Sequence, residues 1–146
     1  MIKNIQKKTF YDLILGFFIK KGQKQKAKKL LDQTFIILQK KTKKPLPLLM
    51  GVFFFRLKTV VEVKKIKIGK REHCIPFVIS PKRRLFLSMK WLKQAISQDK
   101  RKVSFSEKLS TEILNVFLNK PCVSLNLKKE NTKLAFSNRS NIYYRW

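Results

Sequence analysis

The chain has 146 residues and carries 35 Lys and Arg against 8 Asp and Glu, a formal charge of +27. That length fits one domain and excludes two cooperating ones, and a 44% hydrophobic content with 12 Phe excludes a disordered polybasic tail, which lacks the apolar surface to offset chain entropy. Like charges in such excess repel in a compact state, so a polyanionic partner is implied, and nucleic acid ranks ahead of anionic lipid because each neutralised phosphate releases counterions.

In chain order, Phe10, Leu13, Ile14, Phe17 and Phe18 recur at three- and four-residue spacing and predict a first amphipathic helix over Phe10 to Ile19. Lys20-Lys21-Gly22 ends it. A second helix follows with Ala27, Leu30, Leu31, Thr34, Phe35 and Leu38 on one face and Lys24, Lys26, Lys28 and Lys29 near its start. Lysines there oppose the helix dipole, whereas a phosphate near Gly22 to Lys24 would be held by both backbone N–H groups and side chains. After the basic linker Lys40 to Lys44, Pro45 and Pro47 open a third helix with Leu46, Leu49, Met50, Phe53 and Leu57 inward. Phe53-Phe54-Phe55 makes this helix apolar all round, which predicts a central place in the bundle. The uncharged stretch Pro45 to Phe55 is far short of the ~18 residues of a spanning helix, so no membrane is expected as a partner.

From Thr59 the period becomes two. Val61 and Val63, then Ile66 and Ile68, alternate with charge, and the phase slip at Lys64-Lys65 predicts a bulge. Gly69-Lys70-Arg71-Glu72 can turn, and Cys74 to Ile79 forms the return strand, with Pro76 on an edge. Such a ribbon is marginal alone and should lean on a helix or on its ligand. Ser80-Pro81 then starts a fourth helix to Ser97, with Leu85, Met89, Leu92 and Ile96 buried and Lys82, Arg83, Lys90 and Lys93 exposed. Ser104 and Glu107 form the capping box of a fifth, with Leu109, Ile113, Val116 and Phe117 inward and Asn119-Lys120-Pro121 as its stop. A weaker sixth helix spans about Asn126 to Asn141, anchored by Leu127, Leu134 and Ile142. The fold class is therefore mainly α, a six-helix bundle with a two-stranded β-ribbon arm inserted between the third and fourth helices. One domain is expected over residues 1–146, with the arm at 59–80.

Little in the inventory supports chemistry. A single His73 with Cys74 and a distant Cys122 offers no zinc-like ligand set, so no metal and no cofactor are expected. Neighbours His73 and Cys74 point to opposite sides of an extended chain and make no reactive dyad. The acids are scattered, Glu107 reads as a cap and Glu112 as a surface partner of Lys108 four residues away, so no catalytic residue is expected. The lysine-rich faces carry almost no opposing sign, unlike ordinary solvated surface. Tyr143, Tyr144 and Trp146 lie around Arg145 beyond any regular period, and stacking on bases and packing back onto the bundle both remain open for them.

Gly22-Gln23-Lys24, Val61-Glu62-Val63-Lys64-Lys65, Gly69, Ile75-Pro76, Pro81-Lys82-Arg83-Arg84, Lys90-Trp91-Leu92 and the closing Asn138-Arg139-Ser140-Asn141-Ile142-Tyr143-Tyr144-Arg145-Trp146 together resemble the small-subunit ribosomal protein seven family, in order and spacing, from about Tyr11 onward. The resemblance implies a helical protein that binds the 3′ major domain of small-subunit rRNA and organises assembly of the subunit head. It further implies neighbouring small-subunit proteins as partners and an arm that reaches toward exit-site tRNA and mRNA. By position it assigns Lys64, Lys65, Lys67, Lys70 and Arg71 to the arm's contacts, and Lys21, Lys24, Lys82, Arg83, Arg84, Asn138 and Arg139 to rRNA. Lys90 beside them and Tyr144, Arg145 and Trp146 in the tail complete the expected RNA-binding set.

Two departures stand out: Gly69-Lys70 replaces a glycine pair at the ribbon tip, and the N-terminal basic extension shrinks to about ten residues. Glu62-Val63-Lys64-Lys65 and Asn138-Arg139-Ser140 resemble mitochondrial members. Excess Lys, Ile, Phe and Asn fits an AT-rich organelle genome, and no arginine in the first nine residues speaks against a presequence. The mitochondrial matrix is the expected location, with plastid or bacterial cytoplasm as the alternative. The competing function is a non-specific cationic protein that packages nucleic acid or coats a membrane surface.

Overall fold

The structure, a computed structural model, describes residues 11–145. Phe10 of the first stripe and Trp146 of the expected RNA-binding set lie outside the described residues. Helix α1 covers residues 11–18, α2 Lys24–Thr42 and α3 Leu46–Leu57. An antiparallel ribbon of β1 (Val61–Ile68) and β2 (Arg71–Val78) follows, then α4 (Pro81–Gln98), α5 (Phe105–Phe117), α6 (Val123–Ser137) and a short 3-10 segment, Arg139–Tyr144. The expected fold class is the one observed.

Apolar spacing drives the bundle. Leu31 and Leu38 of α2, Leu49, Phe53 and Leu57 of α3, Leu92 of α4 and Leu109, Ile113 and Val116 of α5 join one core. Each buried side chain of this size contributes about 1.5–3 kcal/mol. Helix α5 packs against α2, α3, α4 and α6, and α3 likewise touches four helices. The central place expected for α3 therefore holds, but its all-round burial does not: Phe55 is 72% exposed. Three consecutive helical residues span 200° and cannot all face one core. In α1 the buried set is Ile14, Leu15 and Phe18, with Leu13 outward. In α4, Leu85 is half-buried, and Leu87 and Trp91 join Met89, Leu92 and Ile96 inside.

Caps set the helix starts. Ser80 Oγ accepts from the Arg83 N–H at 3.5 Å, with Pro81 in the first turn, and Ser104 Oγ accepts from the Glu107 N–H at 3.2 Å. Glu112 does not pair with Lys108. Its Oε1 accepts from the Ser124 N–H at 2.9 Å and the Ser124 hydroxyl at 2.6 Å, placing an acid on the start of α6, where the dipole favours it. Lys108 donates instead to the Asp99 carbonyl. Because of that cap α6 begins at Val123, ahead of the expected Asn126, and it ends at Ser137. Leu134 and Ile142 are exposed, and the buried anchors are Ser124 and Ala135.

The ribbon also departs from expectation. Its register runs unbroken from Val61↔Val78 to Ile68↔Arg71, with no bulge at Lys64-Lys65. The apparent phase slip is a change of face: Val61 and Val63 share one side with Lys65 and Lys67, while Ile66 and Ile68 share the other with Glu62 and Lys64. The turn is the two residues Gly69-Lys70, so β2 starts at Arg71. Gly69 has φ +60° and Lys70 is not in the positive-φ region, the pattern of a type II′ hairpin turn that needs only one glycine. Pro76 is buried. The ribbon leans as it should, β1 on α6 and β2 on the 3-10 segment.

Candidate nucleic-acid interface

The outer ribbon carries Lys64, Lys65, Lys67, Lys70 and Arg71, all exposed. Strand alternation puts Lys65 and Lys67 on one face and Lys64 and Arg71 on the other. Both faces of the tip are therefore cationic, opposed across the strands only by Glu72 facing Lys67.

At the ribbon root the first turn of α4 meets β1. Arg83 forks onto Glu62, Nη2 to Oε1 at 2.6 Å and Nε to Oε2 at 2.9 Å, and its guanidinium lies 4.9 Å from the Phe86 ring centroid. The hydrogen bonds from Arg83 hold the Glu62 carboxyl below its ordinary value of 4.5; burial opposes this, and the charges of Arg83, Lys64 and Lys90 add to it. Lys64, Arg83 and Lys90 thus converge on one carboxylate. Arg84 is half-buried and donates from Nε to the Ile79 carbonyl at 3.2 Å, which ties α4 to the end of β2. Lys82 stays exposed.

The α1–α2 turn is a second basic point. Lys21 (φ +50°) and Gly22 (φ +73°) are both left-handed, and α2 starts without a side-chain cap or an acid in its first turn. The N–H groups expected to meet an anion are in part used internally: Gln23 donates to the Lys20 carbonyl at 3.0 Å and Lys24 to that of Gly22 at 2.8 Å. Gln25 and Lys26 present the next donors of the turn. This turn shares a cavity with Lys93 and Ile96 of α4, and Lys93 lies ten residues, about 15 Å of helix rise, beyond Arg83. Lys21 and Lys24 therefore form a patch separate from the ribbon root.

The C-terminal segment is engaged with the ribbon. Asn138 Nδ2 donates to the Leu134 carbonyl at 2.9 Å, closing α6, and the Arg139 guanidinium lies 4.9 Å from the Phe136 ring centroid. Asn141 Nδ2 donates to the Cys74 carbonyl at 3.1 Å, the Tyr144 and His73 rings are 5.1 Å apart, and Arg145 Nε donates to the Pro76 carbonyl at 2.5 Å. The Phe77 ring has Arg145 at 5.6 Å and Lys64 at 5.1 Å. Of the alternatives left open for the tail, packing back holds for Tyr144 and Arg145. Tyr143, 89% exposed, is the more exposed of the two described tail aromatics, and Phe136 at 69% is another exposed ring near Arg139. Phe136 was marked by no local pattern, and Asn141 stood in the closing motif without a role of its own.

Among the described residues only two ion pairs form, Arg83–Glu62 and Arg101–Asp99, and no group of His, Cys, Asp and Glu could hold a metal. No described helix is long and apolar enough to cross a membrane.

A family profile described as ribosomal protein S7p/S5e matches residues 3–139. The chain belongs to the ribosomal protein S7p/S5e family. It is 32% identical over 126 residues to the small ribosomal subunit protein uS7 of Caldicellulosiruptor saccharolyticus, covering 86% of this chain and 79% of that one. It is 29% identical over 133 residues to the uS7 of Thermodesulfovibrio yellowstonii, with 91% and 84% covered. The small ribosomal subunit protein uS7m of Drosophila melanogaster, a mitochondrial form, is 29% identical over 147 residues, with 91% and 67% covered. Proteins of the S7p/S5e family are structural, non-enzymatic components of the ribosome, and this chain is one of them. In this S7p/S5e protein the ribbon is joined to the start of α4 by Glu62–Arg83 and to the docked tail by Arg145–Pro76.

Proposed function

We propose that the chain binds the 3′ major domain of small-subunit rRNA as one unit spanning its whole length, organises assembly of the subunit head and lines the mRNA and tRNA exit region. The observation that carries this reading is the run of exposed cations from the ribbon tip through Lys64 and Lys90 to Lys82, which outnumber the acids beside them, Glu62 and Glu72. Lys65, Lys67, Lys70 and Arg71 reach toward exit-site tRNA and mRNA, while Lys82, Arg83, Lys90, Arg139 and the Lys21–Lys24 turn meet rRNA phosphates. Arg84, Asn138, Tyr144 and Arg145 serve by holding the ribbon and helix ends, with RNA contact through their remaining edges. Affinity comes mainly from charge and specificity from RNA shape, because the deep major groove of A-form helices hides base edges. Neighbouring small-subunit proteins are the other partners. Similarity to a uS7m and the lysine-rich composition support a mitochondrial ribosome as the location.

The test is binding to the rRNA head fragment at several salt concentrations with Lys65→Ala/Lys67→Ala and with Lys82→Ala/Arg83→Ala/Arg84→Ala. Both should weaken binding and flatten its salt dependence by about one log unit per lost phosphate contact. Equal affinity of the wild type for duplex DNA or anionic vesicles at near-physiological salt would favour a non-specific cationic protein and overturn the reading. Co-sedimentation with mitochondrial small subunits tests the location.

A further inference from the structure

One group of cations lies outside every surface described so far. Where α3 ends, the loop after α5 crosses and α6 runs, a cavity of about 460 Å³ is lined by Arg56, Asn119, Lys120, Pro121, Lys128 and Lys129. Four of these are cations, and no carboxylate lines the cavity. The nearest candidate acid on α5, Glu112, is turned to Ser124. Carboxylates answer the guanidiniums of Arg83 and Arg101, through Glu62 and Asp99, whereas Arg84 and Arg145 are held by single carbonyls.

Here the fixing groups are carbonyls. Arg56 Nη1 donates to Val116 at 3.1 Å and Phe117 at 2.7 Å, at the end of α5, leaving Nε and Nη2 for another acceptor. Lys128 Nζ donates to the Arg56 carbonyl and keeps two further protons. Lys128 is half-buried, and burial alone lowers its pKa, with no nearby acid to offset it. Lys120 and Lys129 stay exposed at the rim. Positive groups held together by backbone acceptors repel one another, and an anion with several acceptor oxygens removes that cost. Phosphate suits such a converging donor set better than a two-oxygen carboxylate.

We propose that this cavity, whose lining includes no residue of the ribbon or of α4, is a phosphate-binding site that takes a backbone phosphate of the bound RNA. The RNA source rests on the function proposed above. Contact with RNA then extends to the corner between α3 and α6, and the chain is held at a point away from the tip of its arm.

The test uses the full chain with the rRNA head fragment. Lys120→Ala/Lys129→Ala should lower the slope of log affinity against log salt by about 1 to 2, while the charge-matched Lys100→Ala/Lys102→Ala changes it less. In the wild type, amine acylation read by mass spectrometry should show Lys120 and Lys129 protected by the RNA fragment. Millimolar inorganic phosphate serves as the second probe. Protection by phosphate and by RNA, or by RNA alone, supports the site with RNA as the source. Protection by phosphate without RNA protection overturns that source. Protection by neither, or an equal slope change in the two variants, overturns the site. Failure of the wild type to prefer the rRNA fragment over duplex DNA would instead strike the RNA-binding reading itself.

Discussion

Asn141, in the 3-10 segment, donates from Nδ2 to the carbonyl of Cys74, in the middle of the return strand, at 3.1 Å across 67 residues of sequence. One such bond contributes about 0.5–1.5 kcal/mol. Asn141→Ala should therefore destabilise the protein by about 1 kcal/mol in denaturant unfolding. Amide exchange should rise in residues 71–78 and stay unchanged in α2 and α5. An equal rise throughout would show that the tail does not specifically support the ribbon.

Glu62→Gln removes the charge that holds Arg83. Arg83 is exposed enough that the pair is worth at most about 1 kcal/mol to stability. RNA binding should become more salt-sensitive, because a guanidinium is released to phosphate. A weaker salt dependence would mean that the orientation of Arg83 matters more than its freedom. The pH dependence follows from the lowered Glu62 pKa: the contribution is present above 4.5 and is lost as pH falls through the depressed value. The ribbon root should loosen only as pH falls below 4.5, measurable by exchange at residues 61–63.

Tyr11 donates to Asp32 Oδ1 at 2.8 Å, and its pKa is pushed up to about 12, first by burial, then by that bond and by the negative charges of Asp32 and Asp12. A raised folded pKa means stability that is complete below pH 10 and lost as pH rises through about 12. Ultraviolet titration of the three tyrosines should show one phenol ionising late. Tyr11→Phe should remove that late phase, and its persistence would assign the phase elsewhere.

Glu112→Ala takes the acceptor from Ser124, which is 0% exposed. An unsatisfied buried group costs about 1–3 kcal/mol, so the midpoint of thermal unfolding should fall by several degrees. Glu112→Gln keeps an acceptor oxygen and should recover most of the loss. No recovery would mean that the charge at the start of α6 matters more than the hydrogen bonds.

Much of this fold was legible because helix periodicity and capping are local. Ser80-Pro81, Ser104 with Glu107, and the stripe of α2 each occur within a few residues, and each element formed where its pattern lies. The misreadings came from long-range partners. Glu112 looked like a partner of Lys108 because the two sit one helical turn apart, but a buried serine twelve residues on outbids a surface lysine. The bulge was inferred from apolar alternation, which assumes that one face stays buried, whereas the half-buried apolar positions of β1 change face between Val63 and Ile66. For the candidate site, the charge total pointed to phosphate, but the separation of working cations from structural ones was not readable. Arg56 and Lys128 spend themselves on carbonyls 60 or more residues away, and Tyr144 and Arg145 are drawn onto β2 by contacts that exist only in three dimensions.

The ribbon is gripped at three carbonyls: Val61 by Asn131, Cys74 by Asn141 and Pro76 by Arg145. A main-chain oxygen is the same whatever residue bears it. The outward side chains of the arm are thus at liberty to change, while the direction in which the arm points is inherited intact.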